Sequence, residues 1–179
     1  MKIGNGIIRT QIGNVGFKVD VSDGDISNAS IAIAEIEPIL PQGMEVEGST
    51  GVLLTLVSPS EIKDLQFSCA WSGNVAKGDA CSGEGLDAWE WENDGQLVVI
   101  GTEDGESLFS RLNLGELMRD NYPVSMNANR ITIELDQYPA NTELTLHFVV
   151  SNNSLPEKED CSCWYAVDVA HKRVVEACR

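Results

Sequence analysis

Trp89-Glu90-Trp91-Glu92 is the tetrapeptide with the most to say about chemistry. Side chains alternate along an extended strand, so both indoles fall on one side and both carboxylates on the other. The segment that follows, Gln96–Ile100, is apolar and suits a hairpin whose indole face lies on a core. The carboxylate face then looks outward, with Asp94 at the turn and Glu103, Asp104 and Glu106 just past the second strand. Carboxylates on rigid backbone can hold cationic groups in fixed positions.

The charge distribution points the same way. The chain has 179 residues, 28 of them acidic and 12 basic, for a net charge of −16. Residues 78–110 hold nine acids and no lysine or arginine, while 1–77 is net −4 and 111–179 net −3. Within that stretch Glu84, Asp87, Glu90, Glu92, Asp94, Glu103, Asp104 and Glu106 are the candidate partner-binding residues. A nucleic-acid binder needs clustered lysine and arginine, so that class is excluded, and anionic membranes are disfavoured for the same reason. A basic protein partner is favoured, because complementary fields speed encounter and reject wrong partners. The plainer reading of the same acids is a solvated surface that keeps the protein soluble.

Other constellations carry less. Five cysteines (Cys69, Cys81, Cys161, Cys163, Cys178) make an odd count, which favours reduced thiols. Cys161, Cys163 and Cys178 with His171 supply zinc-ligand types, but C-x-C is not the usual half-site spacing and a second half-site is missing. Neither a metal nor a cofactor is expected. Asp20–Asp25 looks like a calcium loop until its positions are counted: the glycine and the final glutamate of an EF-hand are both misplaced. The sequence contains no G-x-S-x-G, Walker-type or H-E-x-x-H motif. Paired carboxylates for glycoside hydrolysis have little weight in so acidic a chain. His147 alternates with Leu146 and Phe148, which puts it on a partly wet sheet face, and His171 falls in an expected turn. Four tryptophans (Trp71, Trp89, Trp91, Trp164) would make a sugar-stacking platform only if they were exposed.

The elements that must position these residues read as strands. Leu65, Phe67, Cys69 and Trp71 share one face of Asp64–Trp71. Ile131, Ile133 and Leu135 do so in Arg130–Asp136, and Leu144, Leu146, Phe148 and Val150 in Thr142–Val150. Turn residues at Gln137–Asn141 predict a hairpin between the last two, and Ala170-His171-Lys172 predicts another between Trp164–Val169 and Arg173–Ala177. Further strands are expected at Gly16–Val21, Val52–Val57, Ala88–Glu92 and Gln96–Ile100. Ser27–Ile36 fits strand or helix, and Ser107–Arg119 fits a helix. The expected fold is a single-domain antiparallel β-sandwich over residues 1–179, with roughly nine strands and one or two short helices. No apolar run approaches the ~18–20 residues of a membrane span, and the first residues lack an export-signal pattern, so a cytoplasmic location is expected.

Taken together, the sequence reads as a non-catalytic acidic protein that occupies a basic site on a toxin or enzyme, as inhibitors and immunity proteins do. The alternatives are a self-assembling structural sandwich and a carbohydrate-binding one.

Overall fold

The computed structural model describes residues 7–10, 13–73, 78–93, 95–114, 122–127, 129–154 and 161–179. Five strands form one sheet: β1 (Ile7–Thr10), β2 (Gly13–Asp20), β5 (Ile62–Ser72), β10 (Arg130–Tyr138) and β9 (Val124–Asn127), adjacent in that order. The second sheet has six: β3 (Ser30–Glu35), β4 (Gly48–Val57), β11 (Glu143–Ser154), β8 (Gln96–Glu103), β7 (Leu86–Asn93) and β6 (Gly78–Ala80). Every pairing within the two sheets is antiparallel. Within Ser27–Ile36 the strand is Ser30–Glu35, and β1, β6 and β9 bring the number of strands among the described residues to eleven. No helix among the described residues is long and apolar enough to cross a membrane.

The sheets pack face to face as a β-sandwich. Leu65, Phe67, Cys69, Trp71, Ile131, Ile133 and Leu135 line one side, and Leu144, Leu146, Phe148 and Val150 meet them from the other, all buried as their alternation requires. Phe67 and Phe148 touch across the gap at a ring separation of 4.9 Å.

Two expected hairpins do not form. β10 and β11 lie in opposite sheets, so Gln137–Asn141 carries the chain across the sandwich. That crossover is held by the Asn141 amide, 2.7 Å from the Ser58 carbonyl, and by the Tyr138 hydroxyl, which donates to the Glu143 carbonyl at 3.0 Å. Alternating strands can bury their apolar faces side by side or face to face, and period two does not distinguish the options. The C-terminal segment is helical: α2 spans Ser162–Val167 and α3 His171–Cys178. His171, Val174 and Cys178 recur at the i, i+3, i+7 spacing of one helix face.

That pair of helices covers the outer face of the six-stranded sheet. Cys163, Val167, Val169 and Val174 pack on Leu86, Ala88, Leu97, Val99 and Val149 as a second apolar cluster. Close approach depends on two glycines. A Cβ at Gly101 would stand 2.8 Å from Val167, and one at Gly51 would stand 3.1 Å from Val174.

A further helix, α1 (Gly105–Leu112), follows β8 directly. It ends at Asn113, which takes the left-handed conformation (φ 56°), so the helix predicted over Ser107–Arg119 starts earlier and closes at that cap.

Candidate functional site

The β7–β8 hairpin forms as expected, in register from Leu86↔Glu103 to Asn93↔Gln96. Its indoles face the core. Trp91 is fully buried and stacks on Trp71 of the opposite sheet at 5.8 Å, and Trp89 tilts against Trp91 at 6.5 Å. Trp164 is half-buried and donates its indole N–H to the Cys81 carbonyl at 2.6 Å. None of the four tryptophans is exposed, so they build no stacking platform.

The eight predicted acids separate into two groups, with Asp94 lying outside the described residues. Glu90 and Glu92 point to the outer face, where β6 adds Asp79 directly opposite Glu90. Asp79 and Glu92 are exposed and Glu90 is half-buried. Glu84, before β7, and Glu106, in the first turn of α1, are exposed as well. None of these five acids forms an ion pair with a described residue. Burial, together with the neighbouring Asp79 and Glu92, holds the Glu90 carboxyl above its ordinary range. Burial and the charges of Glu90 and Asp79 push the Cys81 thiol up to about 12.

The remaining three acids serve the fold, so the expected acidic face is narrower than eight residues. Asp87 falls on the indole side of β7 and is buried. It accepts from the Tyr122 hydroxyl at 2.8 Å and the Ser82 hydroxyl at 3.2 Å. Asp104 caps α1, accepting from the Ser107 amide at 2.8 Å, and also takes the Gly85 amide at 3.1 Å. Replacing Asp104 with alanine is expected to lower stability by about 1–2 kcal/mol, since it frees two backbone donors at once. Urea unfolding at neutral pH reads that loss.

Glu103 lies on the outer face of β8, opposite Leu86, and enters a cluster of its own. Arg111, one helix later, places its Nε 2.8 and 3.1 Å from the two Glu103 oxygens. The carboxylate also faces two histidines: Glu103 Oε2 is 3.5 Å from His147 Nδ1 and 3.7 Å from His171 Nδ1. The two Nδ1 atoms are 2.8 Å apart. Neither histidine lies where its sequence neighbours predict. His147 is 2% exposed because α2 and α3 cover the sheet face it occupies, and His171 is the first residue of α3 rather than part of a hairpin turn.

The two rings are held at their far edges too. His171 Nε2 meets the Thr145 hydroxyl at 2.9 Å. His147 hydrogen-bonds to the Val169 backbone, and its own carbonyl accepts from Thr102 Oγ1 at 2.8 Å. Burial first, then neighbouring positive charge, drives the His147 pKa far down and that of His171 to about 4, so both rings are neutral at pH 7. Beside the cluster opens a cavity of about 220 Å³, lined by Glu103, Ser107, Arg111 and His171 among others.

Sequence reasoning passed over this cluster because its members come from β8, β11 and α3. The one local clue was His171 on the same helical stripe as Val174 and Cys178. The cysteines form no such group. No disulfide joins any of the five; Cys163 is buried in the second apolar cluster, and Cys178 Sγ faces the Ala32 and Gly51 carbonyls.

No family model matches the chain, and no curated protein matches it. Among solved structures, one from the human microbiome carrying the provisional name kojibiose phosphorylase overlays with a TM-score of 0.43 at 12% identity. The overlay covers 91% of this chain and 22% of that one, so this chain spans about a fifth of that protein's length. A likeness so loose has no bearing on what this chain does.

Proposed function

We propose that this protein is a non-catalytic acidic binding protein whose outward carboxylates occupy a basic site on another protein, in the manner of an inhibitor that neutralises a toxin or enzyme. The supporting observation is the arrangement of Asp79, Glu90 and Glu92. Asp79 and Glu90 are directly opposed across β6 and β7, with Glu92 one step along the same face. Like charges in directly opposed positions destabilise a strand pair, and a cationic partner removes that penalty on binding. The stacked tryptophans beneath keep the hairpin rigid, which favours accurate charge placement.

The test compares the native protein with an Asp79→Asn, Glu90→Gln, Glu92→Gln variant, which leaves Asp87, Glu103 and Asp104 in place. A partner is captured from the source lysate at low salt, released by a salt ramp, identified and then purified. Its association rate with the variant is expected to fall about tenfold or more, with a flatter dependence on ionic strength. An unchanged rate and slope would remove this face from the interface. Concentration-dependent oligomers without a salt-sensitive partner would favour a self-assembling module instead.

The same face should cost the free protein stability. Because the Glu90 pKa is raised in the folded state, its deprotonation opposes folding; the penalty is complete above the folded pKa and vanishes below the unfolded one. Glu90→Gln is therefore expected to raise the melting temperature at pH 7 and to leave it unchanged in acid below the ordinary carboxylate range. Thermal melts across that pH interval check the sign.

A further inference from the structure

We propose that Glu103, His147 and His171 form a binding site for a divalent transition-metal ion of the zinc type, with a fourth coordination position open to the cavity beside Arg111. This inference is independent of the acidic face. It begins with the triangle formed by Glu103 Oε2, His147 Nδ1 and His171 Nδ1, whose sides are 2.8, 3.5 and 3.7 Å. The nearest point equidistant from the three atoms lies in their plane at about 2.0 Å from each, and lifting it about 0.7 Å toward a fourth ligand lengthens the distances only to about 2.1 Å, within the range of zinc–imidazole and zinc–carboxylate bonds. The sides average about 3.3 Å, which is the ligand–ligand edge of a tetrahedron with bonds of that length.

The surroundings match a metal centre beyond the three donors. Ligating imidazoles ordinarily give their second N–H to a carbonyl or another oxygen, which fixes the tautomer and the ring plane. Thr145 Oγ1 stands at the far nitrogen of His171. With His147 Nδ1 turned toward His171, the bond to the Val169 backbone falls to its other nitrogen. The 2.8 Å contact between the two Nδ1 atoms holds one proton in the metal-free chain; an ion takes that proton's place once His171 carries its own on Nε2, toward Thr145. Three elements meet here (β8, β11 and α3), and packing of the second apolar cluster holds them together.

The donor set also indicates which ion. Two imidazoles and one carboxylate suit zinc and its first-row neighbours better than magnesium or calcium, which prefer all-oxygen shells. The cavity leaves room for a water or a small anion as the fourth ligand. Arg111, already bound to Glu103, adds positive charge at that rim and favours an anionic one.

The test uses the full chain, stripped with a chelator and kept under thiol-protecting reductant, and titrated with Co²⁺ as a spectroscopic stand-in for zinc. The expected result is one Co²⁺ per chain at micromolar affinity, with the visible bands of four-coordinate nitrogen and oxygen ligation. Zn²⁺ should displace it and raise the melting temperature. His147 is fully buried and its truncation endangers the fold, so His171→Ala and Glu103→Gln carry the test, with circular dichroism confirming that both are folded. Each should lose more than about 100-fold in affinity, beyond the roughly 10–100-fold expected when Thr145→Val removes only the oxygen behind His171. The proposal is overturned if the native chain takes up neither ion at micromolar concentration. It is equally overturned if binding survives both variants, or if the spectrum shows thiolate charge transfer that disappears in Cys161→Ser.

Discussion

Truncating Trp91 to alanine is expected to cost about 3–5 kcal/mol, the range for removing a fully buried large aromatic from a core. The ring is the largest of the completely buried side chains and bridges the two sheets through Trp71, with Trp89 closing the stack. Its loss removes apolar burial, leaves a cavity and also removes a ring–ring contact, the last worth about 0.5–1.5 kcal/mol by itself. Domains of this kind have only about 5–15 kcal/mol of stability in total, so the variant should show a much lower urea midpoint. An unchanged urea dependence would show that the loss is in packing rather than in the unfolded state. A cost under about 1 kcal/mol would contradict the full burial of the ring. Glu90 and Glu92 are displayed by the strand that Trp91 anchors, so the same variant should also disturb the proposed binding face.

Replacing Arg111 with methionine should cost about 3 kcal/mol in metal-free buffer. The guanidinium is the cation bound to Glu103, whose side chain is only 10% exposed and otherwise faces two neutral imidazoles. Methionine keeps the stem packed while stranding the carboxylate in a poorly solvated site. Combining Arg111→Met with Glu103→Gln should recover part of the loss, and the double-mutant cycle over the four proteins isolates the coupling between the two groups. A single-variant loss below about 1 kcal/mol would mean that water already screens the pair. A bound divalent ion would itself neutralise Glu103, so added Zn²⁺ should shrink the penalty of the Arg111 change.

How far the sequence could be read is clearest in particular residues. Leu65, Phe67, Cys69 and Trp71 are all buried, as their spacing requires, and so are Ile131, Ile133 and Leu135. The inward tryptophans and outward Glu90 and Glu92 follow from the same pleat. Asp87 and Glu103 show where that reasoning stops. Both are candidate partner-binding acids by their place in the acidic stretch. Asp87 falls on the opposite side of β7, where Tyr122 and Ser82 bind it, and Glu103 lies on the outer side but beneath the layer that brings Arg111 and the histidines to it. Asp104 was legible only as an acid. Its role as a helix cap emerges once Gly105–Leu112 is known to be a helix.

By itself the sequence determined the β class, the inward face of the main strands, the β7–β8 hairpin and the concentration of negative charge in one segment. These properties are local: a residue's side of a strand depends on its own position in the pleat, and charge is counted without coordinates. Only the tertiary structure decided that β10 and β11 lie in opposite sheets and that the C-terminus folds into two helices over an apolar outer face. Those outcomes depend on which distant surfaces each element can bury, and alternation within a single segment carries no information about its neighbours. The meeting of Glu103, His147 and His171 is the extreme case. It requires β8 and β11 to pair and α3 to dock upon them, so the site exists only after both the sheet and its helical cover have formed.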